Sequence, residues 1–148
     1  MSSQVVLDAV SATLSAQFPA IAQVDVSNET PEYPTDDYGR PVPFFALFGV
    51  ATEEQSGIGA PDHACYRETG TVNIALYYPS GLGSRAPREL ADQVRGTFRG
   101  RALPTTTQRH VHIRKADPMT NLASTQDTAI GSYYVAGVSL AYHFDYIG

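Results

Sequence analysis

The chain has 148 residues, 43% of them hydrophobic and 17% charged, which is enough for one domain with a real core and gives no sign of disorder. Its net charge is −5 and it holds one cysteine, which excludes an intrachain disulfide and a multi-cysteine zinc site and argues against a dedicated nucleic-acid binder. No run approaches the roughly 18 apolar residues of a membrane span, and the first 18 residues, with no basic run or continuous apolar core, are expected not to be a signal peptide; these absences fit an intracellular product.

Residues 3–18 read as an amphipathic helix, with Val6, Ala9, Val10, Thr13, Leu14 and Phe18 on nearby turns, Ser2 or Ser3 as the cap, and Pro19 as the stop. Residues 22–27 read as a short strand, and the Pro-rich 29–43 stretch with Asp36-Asp37-Tyr38-Gly39 as a loop. An aromatic-rich strand is expected at 44–52, followed by a loop or long hairpin tip at 53–62. Residues 63–78 read as a strand broken near Gly70, with Val72, Ile74, Leu76 and Tyr78 on one face. A second helix is predicted over 85–98, a strand over 109–116 with Val111 and Ile113 on one face, a polar loop over 117–130, and a long strand over 132–146. That strand places Tyr134, Ala136, Val138, Leu140, Tyr142 and Phe144 on one side. The order α-β-β-β-α-β-β lacks regular βα alternation, so the expected fold class is α+β: one domain over residues 1–148, with a largely antiparallel or mixed sheet carrying two helices.

Charge is divided along the chain. Residues 1–68 hold ten acids against two arginines, a net −8; residues 69–148 hold eight basic residues against five acids, a net +3. All the basic residues except Lys115 are arginine, which suits fixed-geometry contacts and is equally what a GC-rich genome encodes by default. On the second helix, at about 100° per residue, Arg85, Arg88, Arg95 and Arg99 fall within a sector of roughly 80°. Asp92 lies in the same stripe, within reach of Arg88 or Arg95, while Leu90, Ala91, Val94 and Phe98 form the core side. The stripe reads as a solvated face with internal pairing, as a protein contact whose target is the acidic half of a neighbour, or as a nucleic-acid contact, against which stand the acidic net charge and the lack of stacking aromatics among the arginines.

Three further patterns carry possible chemistry. Gly81-Leu82-Gly83-Ser84-Arg85-Ala86 follows a strand and opens a helix, as a dinucleotide or phosphate cradle would. The downstream acid such a unit requires is missing, since the corresponding zone reads Ala102-Leu103-Pro104-Thr105; the plain alternative is a tight turn with Ser84 as cap. His110-Val111-His112 places two imidazoles on one strand face, and zinc there would need His143 or His63 as a third ligand. His63-Ala64-Cys65 pairs a histidine with a thiol, but no orienting acid is evident. No catalytic residue, cofactor or metal is therefore assigned.

The acidic segment Asn28-Glu29-Thr30-Pro31, the PFFALFGV strand, Tyr77-Tyr78-Pro79, Gly81-Leu82-Gly83, the helix from Arg85 to Val94 leading to Phe98-Arg99-Gly100, and Gly131-Ser132-Tyr133-Tyr134 occur in an order that resembles the tail terminator proteins of long-tailed bacteriophages and related prophage neck proteins. The chain departs from that pattern in lacking Trp and in reading Ser27-Asn28-Glu29 where Pro-Asn is frequent. The resemblance implies a non-enzymatic virion protein that forms a hexameric ring on the head-proximal end of the tail, contacts the tail tube protein and the head–tail connector, and lets DNA pass through its lumen. It implies location in the virion, and in host cytoplasm during assembly. Another neck, connector or tail-completion subunit remains an alternative, as does a small phosphate- or nucleotide-binding protein.

Overall fold

A computed structural model of the chain describes residues 4–24, 34–58, 65–79, 85–106, 109–118, 125–128 and 131–147. Helix α1 spans Gln4–Gln17 and buries Val6, Ala9, Val10 and Leu14. Phe18, just beyond it, meets Phe45 edge-on at 5.9 Å between ring centroids. Thr13, expected on the apolar face, is half-buried and donates its hydroxyl to the Ala9 carbonyl at 2.9 Å. Ser2 and Ser3, and residues 25–33 of the predicted short strand and loop, lie outside the described residues.

The strand predicted at 22–27 is described only as β1 (Ala22–Gln23), parallel to β2 (Phe44–Ile58). The Gln23 side chain ties it to α1: its Oε1 accepts from Ser11 Oγ at 2.6 Å, and its Nε2 donates to the Ser11 carbonyl and to Ser15 Oγ. Strand β2 runs on to Ile58, so 53–58 continue the hairpin arm rather than forming an open loop. Strand β3 (Cys65–Pro79) is unbroken through Gly70. The irregularity expected there lies instead in its partner, where β2 bulges between Ala51 and Glu53 opposite Gly70 and Thr69. An extra residue on one strand bends that strand and leaves the other continuous.

Helix α2 occupies Arg85–Phe98 as predicted. The chain then forms β4 (Ala102–Pro104), β5 (His110–Pro118), β6 (Thr125–Thr128) and β7 (Gly131–Ile147). Strands β4 and β6 were not expected. The described strands form one sheet in the order β1-β2-β3-β7-β5-β4, with β6 also paired to β7. Every pairing is antiparallel except β1 with β2. The fold is α+β: a mostly antiparallel sheet with two helices packed on it.

The main core lies between helices and sheet. Val72, Ile74 and Leu76 from β3, Val138, Leu140, Tyr142 and Phe144 from β7, and Val111 and Ile113 from β5 meet the apolar sides of α1 and α2. A second buried cluster of Phe44, Ala46, Ala75, Tyr77 and Val135 forms apart from it, with Phe44 and Tyr77 stacked at 4.7 Å. Consecutive residues point to opposite faces of a sheet, so Phe44 and Phe45 feed different clusters. That is why the strand reads Phe-Phe-Ala-Leu-Phe without polar alternation.

Candidate functional site

Helix α2 sorts its residues by angle. Pro87, Ala91, Val94 and Phe98 are buried and Leu90 is half-buried. Pro87 was missed as a core residue; in the first turn of a helix its absent N–H is no loss. Gly100, at φ 64°, ends the helix in the left-handed conformation, and Arg101 donates its N–H to the Phe98 carbonyl at 3.1 Å.

The four predicted arginines lie on one flank, in four different settings. Arg85 is 91% exposed and pairs with Glu89 at 2.8 Å. Arg88 is exposed and its Nε donates to the Tyr134 hydroxyl at 3.4 Å. Arg95 pairs with Asp92 at 3.4 Å and is only 27% exposed. Of the two arginines within reach of Asp92 in the sequence, the fold selects Arg95. Arg99 is exposed, and Arg101 continues the basic surface past the helix. Exposed ion pairs contribute about 0–1 kcal/mol, so these pairings do not explain why the stripe is there. Arg95 differs from the rest because it borders the core side of the helix: its Nε is buried and has no hydrogen-bond partner. A buried orphan donor costs roughly 1–3 kcal/mol.

On the β5–β7 part of the sheet, register places His112 opposite His143, and their rings stack at 4.9 Å. One of the possible third ligands named from sequence therefore does reach His112, yet among the described residues no group of three His, Cys, Asp or Glu could hold a metal. Beside them Arg67 grips Asp145 through two hydrogen bonds of 2.6 and 2.8 Å. Burial pushes the His143 imidazole below its usual value, and the positive charges of Arg67 and His112 act the same way. The Arg67 hydrogen bond holds the Asp145 carboxyl low.

Gly81–Ser84 and His63 lie outside the described residues, and Cys65 opens β3. Strand β3, which leads into the glycine turn, has antiparallel neighbours on both sides. A dinucleotide unit needs parallel strands joined by a helical crossover, and the only parallel pair among the described residues is β1 with β2. No helix among the described residues is long and apolar enough to cross a membrane.

What the fold presents is an α+β framework with a charged flank on α2. The chain belongs to the phage tail terminator protein family, which it matches over residues 6–142. It is thus a phage tail-associated structural protein. A solved structure that bears only a serial designation is similar with a TM-score of 0.53 and 21% identity, covering 97% of this chain and 96% of its own, which speaks to the fold alone. No curated protein is significantly similar to the chain.

Proposed function

We propose that this chain closes into a ring, of six copies, on the head-proximal end of the phage tail. The ring caps the tail tube, stops its polymerisation and offers the joining surface for the head–tail connector. The observation that carries this reading is the family match, which spans residues 6–142 and so takes in both helices and nearly the whole sheet. In this reading Arg85, Arg88, Arg95 and Arg99 include subunit-contact residues.

A ring closes through heterologous contacts, in which one patch meets a different patch on the next copy. The sheet order suits this, since β1, β2 and β3 lie at one end and β7, β5 and β4 at the other. Of the described strands, β1 and β2 come from the acidic first part of the chain, and β7, β5 and β4 from the basic second part. DNA passes through the lumen without specific binding, because an acidic protein offers few cations to neutralise phosphates and release the DNA's counterions. The site of action is the virion tail, with assembly in the host cytoplasm.

Electron microscopy of particles made without this protein tests the assignment. Overlong tails are expected. Tails of normal length that fail to join heads would instead mark a connector or completion subunit.

A further inference from the structure

The turn before β2 is built to hold an aromatic side chain in solvent. Tyr38 at its tip is 83% exposed, and among the described residues it is the one large hydrophobic side chain left so open. Hydrogen bonds close the turn around Asp36. Its Oδ1 accepts from the backbone N–H groups of Tyr38 and Arg40, each at 2.9 Å, and its Oδ2 accepts from Arg40 Nε at 2.9 Å. The Asp36 N–H donates to the Arg40 carbonyl at 2.9 Å, the Gly39 N–H to the Asp36 carbonyl at 3.0 Å, and the Val42 N–H to the Pro34 carbonyl at 3.3 Å. Gly39 sits at φ 74°, a conformation that suits glycine. A phenol carried on so closed a turn has little freedom left to lose when a partner covers it, which is what makes Tyr an effective interface anchor.

Two observations point to the partner. The Arg40 guanidinium lies 5.1 Å from the Tyr38 ring centroid and still leaves the side chain 83% exposed, so there is room for a second cation against the phenol. Arginine, with its flat guanidinium, stacks well on such a surface. Charge agrees with this. Residues 34–42 hold two acids and one arginine, a net −1; Asp36 pairs with Arg40, so the excess falls on exposed Asp37 beside Tyr38. Residues 85–101 hold five arginines against two acids, a net +3, and Arg85, Arg88 and Arg99 on α2 are exposed. The turn leads into Phe44 of β2, whereas α2 packs chiefly on β7 and β5. The two surfaces are therefore different patches of one chain, as contacts around a subunit ring require.

We infer that Tyr38 and Asp37 of one copy seat on the arginine flank of α2 in the next copy, the phenol against a guanidinium and the carboxylate beside it. This rests on the ring reading above and names the contact that reading leaves unspecified. Opposite charges on the two patches favour this pairing over like patches meeting each other.

Double-mutant cycles on the full chain, read by native mass spectrometry with and without purified tail tubes, test the contact. Tyr38→Ala should raise the concentration at which half the chains are assembled by about 30-fold, the effect of losing an interface anchor. The circular dichroism of the monomer should not change, because the side chain is exposed. Combined in turn with Arg85→Ala, Arg88→Ala and Arg99→Ala, the substitution should be non-additive with at least one of them. Hydroxyl-radical footprinting of the unmutated chain gives a second reading, with Tyr38 oxidised several-fold more slowly in the assembled state than in the monomer. Unchanged assembly of the Tyr38→Ala chain, additivity with all three arginines, or equal oxidation of Tyr38 in both states overturns the contact and leaves the subunit ring as a proposal. An unmutated chain that stays monomeric even on tail tubes overturns both.

Discussion

Tyr142 stands opposite Gly70 in the β3–β7 register and reaches diagonally to Glu68, where its hydroxyl donates to the carboxylate at 2.5 Å. Glu68 is 7% exposed, and a buried acid left short of a donor is destabilising. Tyr142→Phe should therefore lower stability by about 1–3 kcal/mol. Denaturant unfolding checks this, and an unchanged midpoint would show that the hydroxyl does not matter. Neither residue stood out as a pair in the sequence, because 74 positions separate them and only register brings them together. His143 makes a second residue-scale prediction. Its folded imidazole resists protonation below the ordinary 6.5, through burial and then the charge of Arg67. Below 6.5 the unfolded chain takes up a proton that the folded chain refuses. Stability is then full above 6.5 and falls as pH drops from there through the lowered folded value. Melting curves between about pH 7.5 and about pH 5 should show this fall, and His143→Gln should flatten it; identical slopes for the two proteins would reject the assignment.

Helix α2 is where sequence and fold agree best, and the reason is periodicity over many residues. Fourteen residues with apolar positions three and four apart leave little freedom in which side is buried. Its flank also makes the clearest element-scale prediction. Replacing Arg95 and Arg99 together by Glu should weaken ring assembly in size-exclusion chromatography, with the monomer still folded by circular dichroism; Arg99→Glu alone, at an exposed position, should change monomer stability by no more than about 0.5 kcal/mol. Rings of unchanged stability would remove these arginines from the interface. The short strands tell the opposite story. With three residues in β4 and four in β6, alternation has too few positions to register, and Thr125–Thr128 reads as polar loop. They exist because an edge of β5 and the start of β7 offer them backbone partners. The break expected at Gly70 is instead a bulge in β2 opposite it, because a bulge belongs to a strand pair and glycine marks only one of its sides.

At the scale of the molecule, the charge division along the chain gains meaning from topology. A difference between two halves of a sequence has no spatial direction until strand order supplies one, and the order β1-β2-β3-β7-β5-β4 puts β1 and β2 of the first half at one end of the sheet and β7, β5 and β4 of the second half at the other. The sequence alone determined the α+β class, both helices, the core faces of β3, β5 and β7, the arginine flank and the likeness to tail terminators, since all of these rest on local periodicity or on residue order. Only the tertiary structure decided that Asp92 serves Arg95 and not Arg88, that Arg95 keeps a buried unpaired donor, and that His143 meets His112. Those outcomes depend on which distant segments pair and in what register. Long-range pairing is chosen by burial of the whole sheet at once, so no single segment announces it.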